Sequence, residues 1–547
     1  MVALHRFGKD MARSPATVVP GLSPWHVTNN VASARPRPHA NTSHRLVELY
    51  MRESAVHTLQ VSSTSTAQPI GFAAFVSLSI ELVSFPLFAG IRSAPNVFSA
   101  NLVTNLGLLQ GGDMPVIRVG GNSQDRAIYD PELQTATATS CAADPLAIVC
   151  IGSSFFDSYR TFPDTYYSHG FNLAANNASG YTTLAETAPL ACKAIGSQLS
   201  MWEYGNEPDL YLGKWRPSNW NVSQFVTEWL NGTSHLKEYL LAACPELGTP
   251  QFMAPSFSSP GSSYSHVAAF QDGLDSQDAV NQKSLHNYIT GATSPGVTLQ
   301  GTLMNHNVTV KSLSKHVAAA NALAAVDDKP YVIGECNSLY GGGAAGLSDT
   351  FGAALWVMDF TLYAASTGVI KRLHYHQSNG APYSAWAPVP SGGNQPTTLP
   401  PYYGKLAAAR FLSASNSTAV EEIALSSSPY ESAYAAYTSG HLARIAVLNM
   451  NQYNATSASQ RPSTTYTFLV GNRLVGSSWL VEKLAAPGSD VKTGVTFAGY
   501  KYEYSSLGNG VNMKSNCPKE VVKVGSNGEL SVRVKDSQAV VLTLLDE

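Results

Sequence analysis

Charge is scarce in this chain: only 13% of its residues are Asp, Glu, Lys or Arg, against a usual ~25%. The 34 basic and 37 acidic side chains nearly cancel, to a formal −3, so the electrostatic footing for nucleic-acid binding is missing. No apolar run is long enough to span a membrane; Gly71–Phe85 is too short and carries Glu81, and a buried strand fits it better. Residues 1–55 are polar, basic and Pro-containing, without the apolar core of a signal peptide. They are expected to be a disordered extension or a mispredicted gene start. The six cysteines form no Cys-x-x-Cys pair and no zinc spacing, so neither a metal nor another cofactor is expected. Cys141 and Cys150 are near enough in sequence to close a loop disulfide. For Cys192, Cys244, Cys336 and Cys517, free thiols and bridges both remain open.

In place of charge the chain has Gly, Ser, Thr, Asn and Tyr. Asn-x-Ser/Thr sequons stand at Asn41, Asn177, Asn221, Asn231, Asn307, Asn416 and Asn454. With the low charge they favour a secretory route, an extracellular location and N-glycans.

The 547 residues suffice for a barrel and a second domain. From 70 to 410, strands alternate with helices: Ala74–Leu82, Met114–Gly120, Tyr166–Leu173, Leu199–Tyr204, Gln251–Pro255, Ser284–Tyr288, Tyr331–Glu335 and Ile370–His376 are strand candidates. Eight is the number a closed (β/α)8 TIM barrel needs. A 3.6 period places Leu313, Val317, Ala320 and Ala324 on one helix face, and Val222, Phe225, Trp229 and Leu236 on another. Ser348 reads as the cap of a third, Ala-rich helix. Beyond the Pro-rich stretch near 388–401 the period changes to alternation, which makes 411–547 an antiparallel β-sandwich. Residues 56–69 are expected to add a strand to it.

Two glutamates stand out. Glu207, in Asn206-Glu207-Pro208, closes the fourth strand, and Glu335 closes the seventh. Barrel active sites form at the C-terminal strand ends, and glycoside hydrolysis needs two carboxyl groups about the scissile bond. Alone, either would more often be a salt-bridged structural residue. Two decoys fail. Gly341–Gly346 formally fits Gly-x-Gly-x-x-Gly, but Asp359, near the required distance, lies within a helix. Gly120-Gly121 lacks the Lys-Ser/Thr of a phosphate loop. Trp202, Trp215, Trp220 and Trp386 are candidates for stacking on sugars or for core packing, and His286 for the site or the core.

With these motifs the chain resembles the β-glucuronidases of glycoside hydrolase family 79, relatives of heparanase. The resemblance runs over roughly 57–547 and rests on Ser79-Ile-Glu81, Ile117 to Asp125, Tyr204 to Pro208 and Gly334 to Gly343. It implies Glu207 as acid/base, Glu335 as nucleophile and retention of configuration. It also implies that Tyr340, the Gly342 backbone N–H and a tyrosine after the eighth strand (Tyr383, with Tyr375 in reserve) receive a uronate carboxylate. Tyrosine hydroxyls and glycine amides can bind that anion without setting a strong cation beside the nucleophile. Asn206 suits the sugar 2-hydroxyl, Tyr288 can hold the nucleophile, and Glu81 and Asn122 join as substrate-binding candidates. The expected function is exo-hydrolysis of terminal β-linked glucuronic acid, or its 4-O-methyl form, from an oligosaccharide or proteoglycan. The alternatives are an endo-acting heparanase-like or hyaluronidase-like enzyme, a neutral-sugar β-glycosidase, and a carbohydrate-binding protein that has lost catalysis. Endo action would need cationic cleft walls, and the sequence shows no basic cluster.

Overall fold

A computed structural model describes residues 56–139, 141, 149–391, 393–425, 428–513 and 519–545. The expected extension 1–55, with Asn41, lies outside the described residues, as does Cys517. Eight parallel strands close a barrel: β1 (Val76–Glu81), β2 (Ile117–Gly120), β3 (Tyr167–Phe171), β4 (Leu199–Tyr204), β5 (Phe252–Phe257), β6 (Val280–Gly291), β7 (Tyr331–Tyr340) and β8 (Ile370–Gln377). These are the eight read from the sequence, but β6 and β7 run further. They stay paired to Thr290–Leu339 and Gly291–Tyr340. Barrel strands are buried on both faces and read as apolar runs; the extension above the rim is polar and carries no such signal.

Helices follow the strands: α1 (Val97–Leu109), α2 (Ala178–Ile195), α3 (Val222–Ala243), α4 (His266–Gln271), α5 (His306–Ala324), α6 (Phe351–Ser366) and α7 (Pro400–Leu412). Asn221 and Gln224 form a capping box that starts α3, whose Phe225, Trp229 and Leu236 are buried. On α5, Leu313 and Ala320 are buried as expected, but His316, Ala319 and Leu323 join them while Val317 is only half-buried and Ala324 exposed. His316 goes inside because burial keeps its ring neutral and pushes it down to about 3, and because Tyr331 and Asn287 bond both ring nitrogens. Ser348 does not cap α6: Thr350 holds that position, and the Ser348 hydroxyl instead accepts the Ala344 N–H and bonds Ser338, tying down the loop after β7.

The β-domain packs two sheets about Tyr466, Phe468, Trp479, Val540 and Leu542. Val56–Gln60 pairs parallel with Ser463–Leu469, one parallel ladder among antiparallel ones. Asp359, fully buried on α6, accepts hydrogen bonds from Ser432 and Tyr434 of this domain and bonds His306, which also reaches Glu422. Cys141–Cys150 is bridged, and so is Cys192–Cys244, which ties α2 to the end of α3; Cys336 is free and buried. Trp202, Trp220 and Trp386 are core residues, whereas Trp215 is 36% exposed.

Candidate active site

The C-terminal ends of the barrel strands enclose a cavity of about 830 Å³. Its walls include Glu81, Asn122, Glu207, Tyr288, Glu335, Tyr340, Gly342 and Tyr383, so the structure brings together every candidate except Asn206, which lies buried at its edge. Tyr375 is on the other face of β8, packed on Trp356 and Phe360 outside the lumen. Strand alternation decides between the two tyrosines.

After β4, Gly205 (φ 87°) turns the chain, and Glu207 sits in the left-handed region at φ 50°, ψ 52°. Such a backbone costs a non-glycine residue about 1 kcal/mol or more. The Glu207 N–H donating to Ser256 O at 3.0 Å and Pro208 opening a short 3-10 helix hold it there. Asn206 is fixed from both sides: its N–H donates to Asp125 Oδ2 at 2.8 Å, and its Oδ1 accepts from Arg118 at 2.8 Å.

Arg118, on β2 and fully buried, organises the floor. It donates to Glu335 Oε2 at 2.7 Å, Glu203 Oε2 at 2.8 Å and Ser79 Oγ at 3.0 Å. A strong cation thus stands beside the nucleophile candidate, on the barrel floor and apart from the expected tyrosine and glycine receptor, and it is bonded to Glu335 and not to Glu207. His376 is a second basic group beside Glu335. Burial opposes its charge, but Glu335 and Glu81, at 3.4 Å on either side, outweigh it and raise its pKa. The sequence signal for Arg118 was a charged residue inside an apolar strand; His376 gave none beyond its alternation with His374.

The carboxyls are pushed in opposite directions. For Glu207, burial first and the Glu335 charge second raise the pKa. For Glu335, burial alone would raise it, but His376, His286, Arg118 and the Tyr288 hydroxyl (2.7 Å to Oε1) pull it well below the usual range. His286 Nδ1 lies 3.0 Å from Glu207 Oε1. Burial pushes that ring down to about 4, so at higher pH the contact is a hydrogen bond of a neutral imidazole. One oxygen of each glutamate and a nitrogen of His286 lie within 4.8 Å of one another. The set has donors for a metal, but Arg118 and Tyr288 already occupy Glu335, and the guanidinium opposes a further cation.

Tyr340 stands at the top of β7, 57% exposed, and Gly341 to Gly343 continue at φ 84°, 89° and 83°, a run that only glycine adopts without strain. Tyr383 is buried, its ring near Tyr288 and His376.

A barrel with glutamates of opposed protonation, Glu207 just past β4 and Glu335 within β7, which runs on to Tyr340 instead of closing at Glu335 as expected, is the arrangement of a glycoside hydrolase. Residues 433–541 match the family model for the glycosyl hydrolase family 79 C-terminal beta domain. A protein named beta-glucuronidase from Aspergillus niger is 42% identical over 492 residues, covering 86% of this chain and 90% of its own. One of the same name from Neurospora crassa is 41% identical over 490 residues, 82% and 87% of the two chains. The chain belongs to glycoside hydrolase family 79. A Fusarium oxysporum 4-O-α-L-rhamnosyl-β-D-glucuronidase shares the fold, with a TM-score of 0.73 at 24% identity over 89% of this chain and 100% of that one.

Proposed function

We propose that this chain is a retaining exo-β-glucuronidase that removes terminal β-linked glucuronic acid, or its 4-O-methyl form, from glycans. The observation that carries the mechanism is the approach of Glu207 and Glu335 to within 4.8 Å. An inverting pair stands about 6.5–9.5 Å apart to admit a water, whereas a retaining pair is close. Glu335, ionised and held at both oxygens, attacks the anomeric carbon while Glu207 protonates the departing oxygen. Once Glu335 is an ester its charge is gone, and with it the largest charge effect that raises Glu207. Glu207 is then a carboxylate able to take a proton from the water that frees the sugar. Tyr340, Tyr383 and the Gly342 N–H receive the uronate, and Asn206 with Asn122 faces the ring hydroxyls. The names of the two relatives support the substrate.

The six described sequon asparagines are all exposed, and two disulfides suit an oxidising compartment, which supports a secreted, N-glycosylated enzyme. Among the described residues no helix is long and apolar enough to cross a membrane.

Changing Glu335 to Gln should abolish turnover of an aryl β-glucuronide with the fold intact by circular dichroism. Early product followed by proton NMR should be the β-anomer. Undiminished turnover sinks the nucleophile assignment, and α-product sinks retention.

A further inference from the structure

The sequence shows no basic cluster, yet the fold assembles one at the cavity mouth. Arg126, from the loop after β2, and Lys214, from the loop after β4, both line the cavity. Among the described residues neither side chain makes a salt bridge. The Arg126 guanidinium lies over the Trp215 ring, 5.8 Å from its centroid. This is a built contact. Trp215 stands edge-on to Tyr211 at 5.0 Å, and the Tyr211 hydroxyl donates to Asp125, the neighbour of Arg126, at 2.5 Å. On the other side of Trp215, buried Arg216 bonds the Leu173 and Ala174 carbonyls and Glu228. Behind Arg126 the chain enters Ala127–Tyr129, which pairs with Val149–Ile151, and Cys150 there is bridged to Cys141.

Both loops are thus braced, so the guanidinium is held over the indole, and among the described residues no carboxylate occupies it. A planar fork fixed in this way matches a planar or tetrahedral oxyanion, and little entropy is lost when one binds. The uronate does not require it, because its receptor is across the mouth on β7 and β8. Lys214 is on the Glu207 loop, and a proton donor faces the leaving group.

The geometry points to an oxyanion subsite: Arg126 and Lys214, set by Trp215, receive a sulfate ester or a carboxylate on the sugar to which the glucuronosyl unit is attached. This rests on the β-glucuronidase reading with Glu207 as acid, and it narrows the substrate to acidic glycans.

The test compares three β-glucuronosyl disaccharides whose second sugar carries a sulfate, a carboxylate or neither, together with a plain aryl β-glucuronide. At low salt, kcat/KM for one or both acidic disaccharides should exceed the neutral one roughly ten-fold, mainly through KM, with the excess shrinking as salt screens it. The arm that gains identifies the anion. Arg126→Met and Lys214→Met should each bring the acidic-to-neutral ratio toward one. A wild-type ratio near one for both anions overturns the subsite. So do variants that slow all substrates equally, because the cations would then merely steer the uronate. Absence of turnover on the plain aryl glucuronide overturns the proposed function, and the subsite with it; a ratio near one on an active enzyme overturns the subsite alone.

Discussion

Replacing Arg118 by Met probes how the two glutamates are set apart. The guanidinium contacts Glu335 at 2.7 Å and Glu203 at 2.8 Å, wholly out of water. A unit charge at that range, at the effective dielectric suited to protein sites, is worth roughly 2–4 kcal/mol. At about 1.4 kcal/mol per pKa unit, its loss raises the Glu335 pKa by on the order of 2 units. The sign follows from the role. As the proposed nucleophile Glu335 must be ionised to attack, and its folded pKa is depressed, so activity should fall away on the acid side. Without Arg118 the acid limb of kcat/KM moves to higher pH. Leaving Glu203 buried without its partner costs about 3–5 kcal/mol of stability, which a melting curve reads. Arg118→Lys separates charge from geometry: one ammonium cannot serve Glu335, Glu203, Ser79 and Asn206 together, so the limb moves less while stability still falls. The measurement is a pH–rate profile on an aryl glucuronide for each folded variant. An acid limb that stays in place in folded Arg118→Met would refute the argument that this cation fixes the nucleophile's ionisation.

Tyr340→Phe removes a hydroxyl proposed to bond the uronate, and should cost about ten-fold or more in kcat/KM on glucuronide but little on glucoside; equal losses on both would contradict the receptor role. His306 bridges Asp359 and Glu422 between barrel and β-domain; burial works against its charge, but the two carboxylates lift it to about 10. Its folded pKa is raised, so its stabilisation is full below about 6.5 and lost as pH rises through about 10. His306→Gln should therefore lower stability most in acid, by on the order of 2 kcal/mol given the partly exposed Glu422, and the two proteins' melting curves should converge near pH 10. Opening the Cys192–Cys244 bridge, whose ends are 52 positions apart in sequence, costs about 4 kcal/mol by loop entropy; an unchanged denaturant midpoint for Cys192→Ser would refute that.

All eight barrel strands were legible because a doubly buried strand is a short apolar run closed by Gly or Pro, a local signal. Glu207 and Glu335 were legible because a carboxylate closing an apolar run has no packing reason to be there, although β7 itself continues past Glu335 to Tyr340. What failed was whatever depends on a partner distant in sequence. The face of α5 was misjudged because His316 is polar by composition yet satisfied by Tyr331 and Asn287. The Cys192–Cys244 bridge depends on α2 and α3 lying side by side, and the pairing of Arg126 with Trp215 on two loops meeting. Periodicity reports none of these.

Arg118 shows the same limit in chemical form. A cation bonded to Glu207 would strip the proton from the candidate acid. But two like carboxylates this close must be made different, and burial alone would raise both pKa values. A buried guanidinium bonded to only one of them supplies the difference: it ionises Glu335, and the resulting negative charge in turn helps keep Glu207 protonated. Residue types in a sequence say that a cation is present. Which oxygen it touches decides whether it spoils the acid or creates it.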